Sequence, residues 1–236
     1  MSIKTTLNYS QNFNPKKRRK KEIRFLIFHY TGMKNEKSAI KRLTKPKYKV
    51  SSHYLIKKNG EVLILVPDLY EAWHAGASFW RSYKSLNKNS IGIEITNPGH
   101  QWGYKDFSKK QVNSLIILSK YLIKKYRIDK KNILGHSDIA LKRKKDPGEK
   151  FPWQLLSKKN IGIWHNISEV KLKKARSIKI NKVDQKKVLK NILKLGYKKD
   201  NKTNYITKAF QRRFRPELID GKIDAECAII SNKLLE

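Results

Sequence analysis

A single cysteine in 236 residues excludes an intramolecular disulfide, so no covalent staple holds this chain together. Cys227 falls in the apolar helical pattern Ala225-Glu226-Cys227-Ala228-Ile229-Ile230, which reads as a small buried thiol and not as a nucleophile. Long hydrophobic runs are missing too, and none reaches the length that a bilayer crossing needs. Met1 to Lys21 has no apolar stretch ahead of a cleavage site and ends in Lys16-Lys17-Arg18-Arg19-Lys20-Lys21. It therefore reads as a basic leader without a secretory signal, which makes the cytoplasm the expected compartment and the periplasm the alternative.

Negative charge is scarce: 55 Lys and Arg stand against 19 Asp and Glu, a formal net charge of +36. Polyanions are the natural long-range partners, whether nucleic acid or a carboxylate-rich cell-wall polymer and its fragments. The lysines are scattered through every expected element, which resembles a compositional bias more than the basic stripe of a nucleic-acid binder. Apolar residues make up 39% of the chain, enough to bury a proper core.

Residues 22–29 read as a buried strand and Lys37 to Leu43 as a short helix. Val50 to Ile56 and Val62 to Val66 form a hairpin through Asn59-Gly60, and Ser90 to Ile95 is a further strand. Ser108 is placed to cap the next helix, with Gln111 completing a capping box and Leu115, Leu118 and Leu122 on its apolar face. Interleaved strands and helices predict an α/β fold, a mixed central β-sheet flanked by helices, over residues 22–165. Residues 166–182 are lysine-rich with little apolar periodicity, which suggests a linker or a solvated helix. Beyond it, residues 183–236 read as three short helices, a small separate domain.

The segment richest in chemistry is Gly135-His136-Ser137-Asp138-Ile139-Ala140, followed by Asp146 in Lys145-Asp146-Pro147-Gly148. A histidine and a carboxylate on adjoining segments suit a borderline divalent ion such as Zn²⁺. His29 ends the run Ile23-Arg24-Phe25-Leu26-Ile27-Phe28, where a buried strand emerges into a loop, and is the best third ligand. His29, His136 and Asp146 make a two-histidine, one-carboxylate set with a position left for water.

Six ordered segments carry a family resemblance: Phe28-His29-Tyr30-Thr31-Gly32-Met33, Ser52-His53-Tyr54-Leu55-Ile56, Ala72-Trp73-His74-Ala75-Gly76, Asn89-Ser90-Ile91-Gly92-Ile93-Glu94, Gly135 to Ala140, and Asp146-Pro147-Gly148 with Phe151-Pro152-Trp153. Over about residues 22–165 the chain resembles the zinc-dependent N-acetylmuramoyl-L-alanine amidases of the type 2 family, related in fold to peptidoglycan-recognition proteins and phage amidases. Leu195-Gly196-Tyr197, Ala209 to Phe214 and Asp220-Gly221-Lys222-Ile223-Asp224 are similar to the small helical peptidoglycan-binding domain fused to wall hydrolases.

The resemblance implies that His29, His136 and Asp146 bind one Zn²⁺, and that Glu94 is the general base and then acid. It matches Lys144 to the lysine that stabilises the oxyanion; its spacing from Asp146 alone separates it from Arg143 and Lys145. Tyr30, Trp73, His74 and Asn97 are candidate substrate contacts, although Trp73 suits a core position equally. His53 and His74 are expected in a pocket or hydrogen-bonded core, since three protein ligands suffice. Leu141 stands where relatives commonly have proline, a change expected to loosen the ligand loop without touching a ligand. The implied activity is hydrolysis of the amide between the lactyl group of muramic or anhydro-muramic acid and L-alanine, in cell-wall turnover or recycling. Partners are then peptidoglycan or soluble muropeptides, with no obligate nucleic acid. The alternative is a non-catalytic recognition module, which would be marked by loss of a zinc ligand; none is lost.

Overall fold

A computed structural model describes residues 3–236. Two short strands, β1 (Thr5–Leu7) and β2 (Phe13–Asn14), precede the apolar run that forms β3 (Phe25–Tyr30). Asn35 caps α1 (Glu36–Thr44) by accepting from the Ser38 amide, and the chain then forms the expected hairpin of β4 (Tyr54–Ile56) and β5 (Val62–Ile64). The two-residue strands β6 (Glu71–Ala72), β7 (Phe79–Trp80) and β8 (Tyr83–Lys84) lead to β9 (Ser90–Ile95). In the capping box of α2 (Lys109–Tyr126), Ser108 Oγ accepts from the Gln111 amide while Gln111 Oε1 accepts from the Ser108 amide. β10 (Ile133–Gly135) runs directly into the single turn α3 (His136–Ile139). Five more helices follow: α4 (Trp153–Ser157), α5 (Glu169–Ala175), α6 (Lys182–Leu195), α7 (Thr203–Phe214) and α8 (Ala225–Lys233). Among the described residues no helix is long and apolar enough to cross a membrane.

The main sheet has the order β1-β5-β4-β9-β3-β10, with β4 and β5 antiparallel and the other neighbours parallel, which is the expected mixed sheet flanked by helices. The alternation along β9 decides what each face holds. Ile91, Ile93 and Ile95 pack with Leu115, Leu118 and Leu122 of α2. Ser90, Gly92 and Glu94 point to the opposite face. The register pairs them with Phe25, Ile27 and His29, whose side chains share that face. Phe25 and Ile27 are buried there with Leu134, Ile139 and the apolar sides of α6 and α7. His29 and Glu94 lie at the C-terminal ends of their strands. Gly135 pairs with Phe28, so His136 emerges beside His29 at the same edge. Loops beyond the C-terminal ends of parallel strands are the usual ligand-binding region of such sheets.

Three boundaries differ from the sequence expectation. The basic leader is part of the fold: β1 adds an edge strand to β5, β2 pairs with β6, and Ser10 Oγ donates to the Leu43 carbonyl at 2.6 Å. Arg18 is buried and donates to the carbonyls of Asn87, Ser90 and Asp68, so one cation of that run serves as an internal cross-brace. Within 166–182, residues expected as a linker or solvated helix form α5, with Leu172 and Ala175 buried. The three C-terminal helices exist, but they are not a separate body. Val188, Ile192, Ile206 and Phe210 share one apolar cluster with the sheet residues Phe25 and Ile27. Gly196 ends α6 with φ of +134°, and a Cβ there would sit 2.5 Å from the Trp80 indole, so both backbone and packing require glycine. Cys227 is fully buried, as its apolar surroundings foretold.

Candidate active site

At the C-terminal edge of β3 and β10, His29 Nδ1, His136 Nδ1 and Asp146 Oδ2 form a triangle with sides of 2.9, 3.0 and 3.0 Å. All three residues are buried. The Ser137 amide donates to the Asp146 carbonyl at 2.8 Å, which folds the loop back so that its carboxylate meets the histidine ten residues earlier.

Hydrogen-bond partners fix which ring nitrogens carry protons. His136 Nε2 lies 3.1 Å from the Ala75 carbonyl, which can only accept, so Nε2 holds the proton and Nδ1 presents a lone pair. For His29 the assignment runs through two more groups. Ser90 Oγ donates its single proton to the Leu86 carbonyl at 2.6 Å, so its oxygen accepts from His74 Nε2 at 3.1 Å. His74 Nδ1 is then an acceptor and receives the proton of His29 Nε2 at 3.0 Å. His29 Nδ1 is left bare. Two lone pairs and a carboxylate oxygen therefore converge without a proton among them. This donor set fits a divalent cation: tetrahedral ligation at about 2.0–2.2 Å separates ligand atoms by roughly 3.3–3.6 Å, a few tenths of an ångström wider than the 2.9–3.0 Å present.

The electrostatics agree. Burial, followed by the proximity of His136, lowers the His29 pKa to about 4. Glu94 is shifted the other way. Burial pushes its pKa well above the usual carboxylate value, the charge of Asp146 adds to this, and Lys144 opposes it. Its Oε2 is buried without a hydrogen-bond partner among the described residues.

These residues open into a cavity of about 750 Å³, lined among others by Tyr30, His74, Glu94, His136, Lys144 and Asp146. That volume lies in the range of small-molecule and peptide sites. Lys34, Arg42, Arg143 and Lys145 also line it, giving a cationic rim around an interior that carries Glu94 and Asp146.

The sequence pattern of N-acetylmuramoyl-L-alanine amidases matches residues 19–149, more than half of the chain. The chain belongs to the N-acetylmuramoyl-L-alanine amidase family. This amidase is 38% identical over 231 residues to the N-acetylmuramoyl-L-alanine amidase AmiD of Escherichia coli (strain K12), an alignment covering 91% of this chain and 83% of that protein. Its fold is similar to that of E. coli AmiD in complex with the substrate anhydro-N-acetylmuramic acid-L-Ala-D-gamma-Glu-L-Lys, with a TM-score of 0.78, 34% identity, and coverage of 91% and 89% of the two chains. The structure of AmpDh3 from Pseudomonas aeruginosa is equally similar, with a TM-score of 0.78 at 32% identity over 93% of this chain and 92% of that one.

The amidase brings the three residues expected as ligands into one cluster, with Glu94 and Lys144 lining the same cavity. Of the neighbouring cations, Arg143 is held by the Ala75 and Ala77 carbonyls at 2.8 and 3.0 Å, and Lys145 is exposed. Lys144 is half-buried, and neither it nor Lys145 has an ion-pair partner among the described residues. Tyr30 lines the cavity, its hydroxyl 2.9 Å from His100 Nδ1.

The other candidate contacts are placed differently. Both ring nitrogens of His74 are engaged within the protein, leaving no free polar atom for substrate. Trp73 lies outside the cavity lining, on a segment pinned by backbone bonds to Ser51. Asn97 is buried and spends its amide on the following loop, donating to the Lys105 carbonyl and accepting from the Gly99 amide. That loop carries His100 and Trp102 into the cavity, two lining residues the sequence reading missed because nothing local marks them. His53 is the expected hydrogen-bonded core residue, with Nδ1 accepting from the Gly92 amide. Leu141 packs against the apolar cluster under α6 and α7, while the Arg143 and Lys144 amides both bond the Ala140 carbonyl, so the loop stays tied without proline.

Proposed function

We propose that this amidase is a zinc enzyme that hydrolyses the amide between the lactyl carbonyl of 1,6-anhydro-N-acetylmuramic acid and the L-alanine of a soluble stem peptide. The observation that carries the metal assignment is the convergence of the unprotonated His29 Nδ1 and His136 Nδ1 on Asp146 Oδ2. A bound Zn²⁺ supplies Lewis acidity and a water acidic enough to attack at neutral pH. Glu94, with its raised pKa, takes the proton of the attacking water and delivers it to the departing alanine nitrogen. Lys144 faces the same space and stabilises the oxyanion electrostatically. The cationic rim suits the carboxylates of the stem peptide, and the AmiD complex, with an anhydro-muramyl tripeptide, supports a soluble substrate.

The experiment is mass spectrometry of zinc-loaded protein incubated in parallel with anhydro-muropeptide and with whole sacculi. The expected result is a free peptide with an L-alanine amino terminus and an intact anhydro sugar, released fastest from the soluble substrate. A protein inert toward both refutes the activity, and faster release from sacculi refutes the substrate preference. The proposed wall-binding role of residues 183–236 predicts co-sedimentation of the whole chain with sacculi; protein left entirely in the supernatant contradicts it.

A further inference from the structure

Consecutive residues, His74 and Ala75, supply the hydrogen-bond partners of both candidate metal-binding histidines. The His74 ring accepts from His29 Nε2 at 3.0 Å, and the Ala75 carbonyl accepts from His136 Nε2 at 3.1 Å. One side chain pins this pair of residues: Asn87 Oδ1 accepts from the His74 amide at 3.1 Å and the Ala75 amide at 2.7 Å. On its other side the His74 ring rests on β9, where a Cβ at Gly92 would lie 2.5 Å from the ring, so glycine is what leaves room for it. Ser90, two residues earlier on the same face, bonds His74 Nε2 and passes its own proton to the Leu86 carbonyl.

We propose that His74 is a positioning residue for the metal, the middle of a relay from the Leu86 carbonyl through Ser90 and His74 that holds His29 in its Nε2–H tautomer and aims Nδ1 at the site. The inference rests on the zinc reading above and goes beyond it. The opposite arrangement, with the proton on His29 Nδ1, requires the His74 proton on Nδ1 and leaves His74 Nε2, which faces Ser90, bare. The Ser90 hydroxyl must then turn to His74 Nε2, and the buried Leu86 carbonyl loses the hydroxyl that donates to it at 2.6 Å. Giving up a short buried hydrogen bond costs free energy, so the relay biases His29 toward its ligating form before any ion arrives. His136 needs no relay, because a backbone carbonyl accepts in one sense only.

The test compares His74→Phe, which keeps a ring but removes the acceptor, with His74→Asn, which returns an acceptor near Nδ1, and with Ser90→Ala, which removes one hydroxyl. Chelator competition measures zinc affinity, and nitrogen-15 NMR of the metal-free proteins reads the His29 tautomer. Expected are a loss of about 10–100-fold in zinc affinity for His74→Phe, a smaller loss in the same direction for Ser90→Ala, and partial recovery for His74→Asn. In metal-free wild type His29 carries its proton on Nε2, whereas in His74→Phe the Nδ1–H form gains population. Wild-type affinity in folded His74→Phe and Ser90→Ala, with an unchanged His29 tautomer, overturns the relay. A wild type that binds no zinc overturns the metal reading instead, and the metal-free NMR comparison still decides the relay.

Discussion

Glu94→Gln is expected to lower kcat/KM on anhydro-muropeptide by about 10²–10⁴-fold, the usual contribution of a positioned acid–base group, while zinc content stays at that of the wild type. The substitution is nearly isosteric and removes the ability to accept a proton. Its pH dependence carries a further signature. A base with a raised pKa is active only when deprotonated, so the wild-type rate climbs as pH rises through the Glu94 pKa, at a pH above the ordinary carboxylate range. In Glu94→Gln that rising limb disappears from the residual activity. Stability moves oppositely. A carboxyl whose folded-state pKa is raised contributes stability that is complete below its unfolded pKa and lost as pH rises through the folded one. At neutral pH, metal-free Glu94→Gln is therefore expected to melt at or above the wild-type temperature. Kinetic profiles and thermal melts across pH check both halves; a variant with near wild-type kcat/KM contradicts the assignment.

Arg213→Ala is expected to cost about 3–5 kcal/mol, because it leaves a buried carboxylate without its cation. Arg213 Nη1 donates to Asp138 Oδ2 at 2.6 Å, Nη2 donates to the Ile133 carbonyl at 2.9 Å, and the guanidinium lies 4.2 Å from the Trp153 ring centroid. Both charged groups are almost wholly buried. At roughly 2–4 °C per kcal/mol for a chain of this size, the melting temperature falls by about 6–20 °C. Asp138 also accepts from Tyr197 Oη and from the Gly135 amide, directly before His136, so the loss reaches the metal loop from α7. The double variant Asp138→Asn with Arg213→Met, which removes both charges together, recovers much of the stability. A shift below 2 °C in Arg213→Ala would show that the pair is not what joins the C-terminal helices to the loop.

That pair also marks where sequence reading stops. His29 and His136 were legible because each follows an apolar segment, where a polar side chain must face a loop or a cavity, Asp146 because a carboxylate shares the loop with His136, and Glu94 through the family resemblance. The proton positions were not, since His29 is oriented by His74, 45 residues away, and by Ser90 behind it. Arg213 was hidden among 55 basic residues. A usable signal existed nonetheless: Ile206, Phe210, Arg213 and Phe214 fall on one helical face, so helical periodicity placed this arginine on the buried side. Arg18 lacked even that. Its run of lysines and arginines looks uniformly solvated, and only the acceptors gathered around it single it out. The mixed sheet followed from interleaved apolar segments, but the joining of the C-terminal helices to it did not, because an apolar helix face does not reveal what covers it.

Zinc titration of chelator-treated protein, followed by cleavage of anhydro-muropeptide, tests the central claim most directly. Activity is expected to return in proportion to added zinc and to reach its plateau at one equivalent, with His29→Ala, His136→Ala and Asp146→Ala each losing the tight site. Full activity in the metal-free protein, or a one-equivalent plateau that survives in Asp146→Ala, would contradict it.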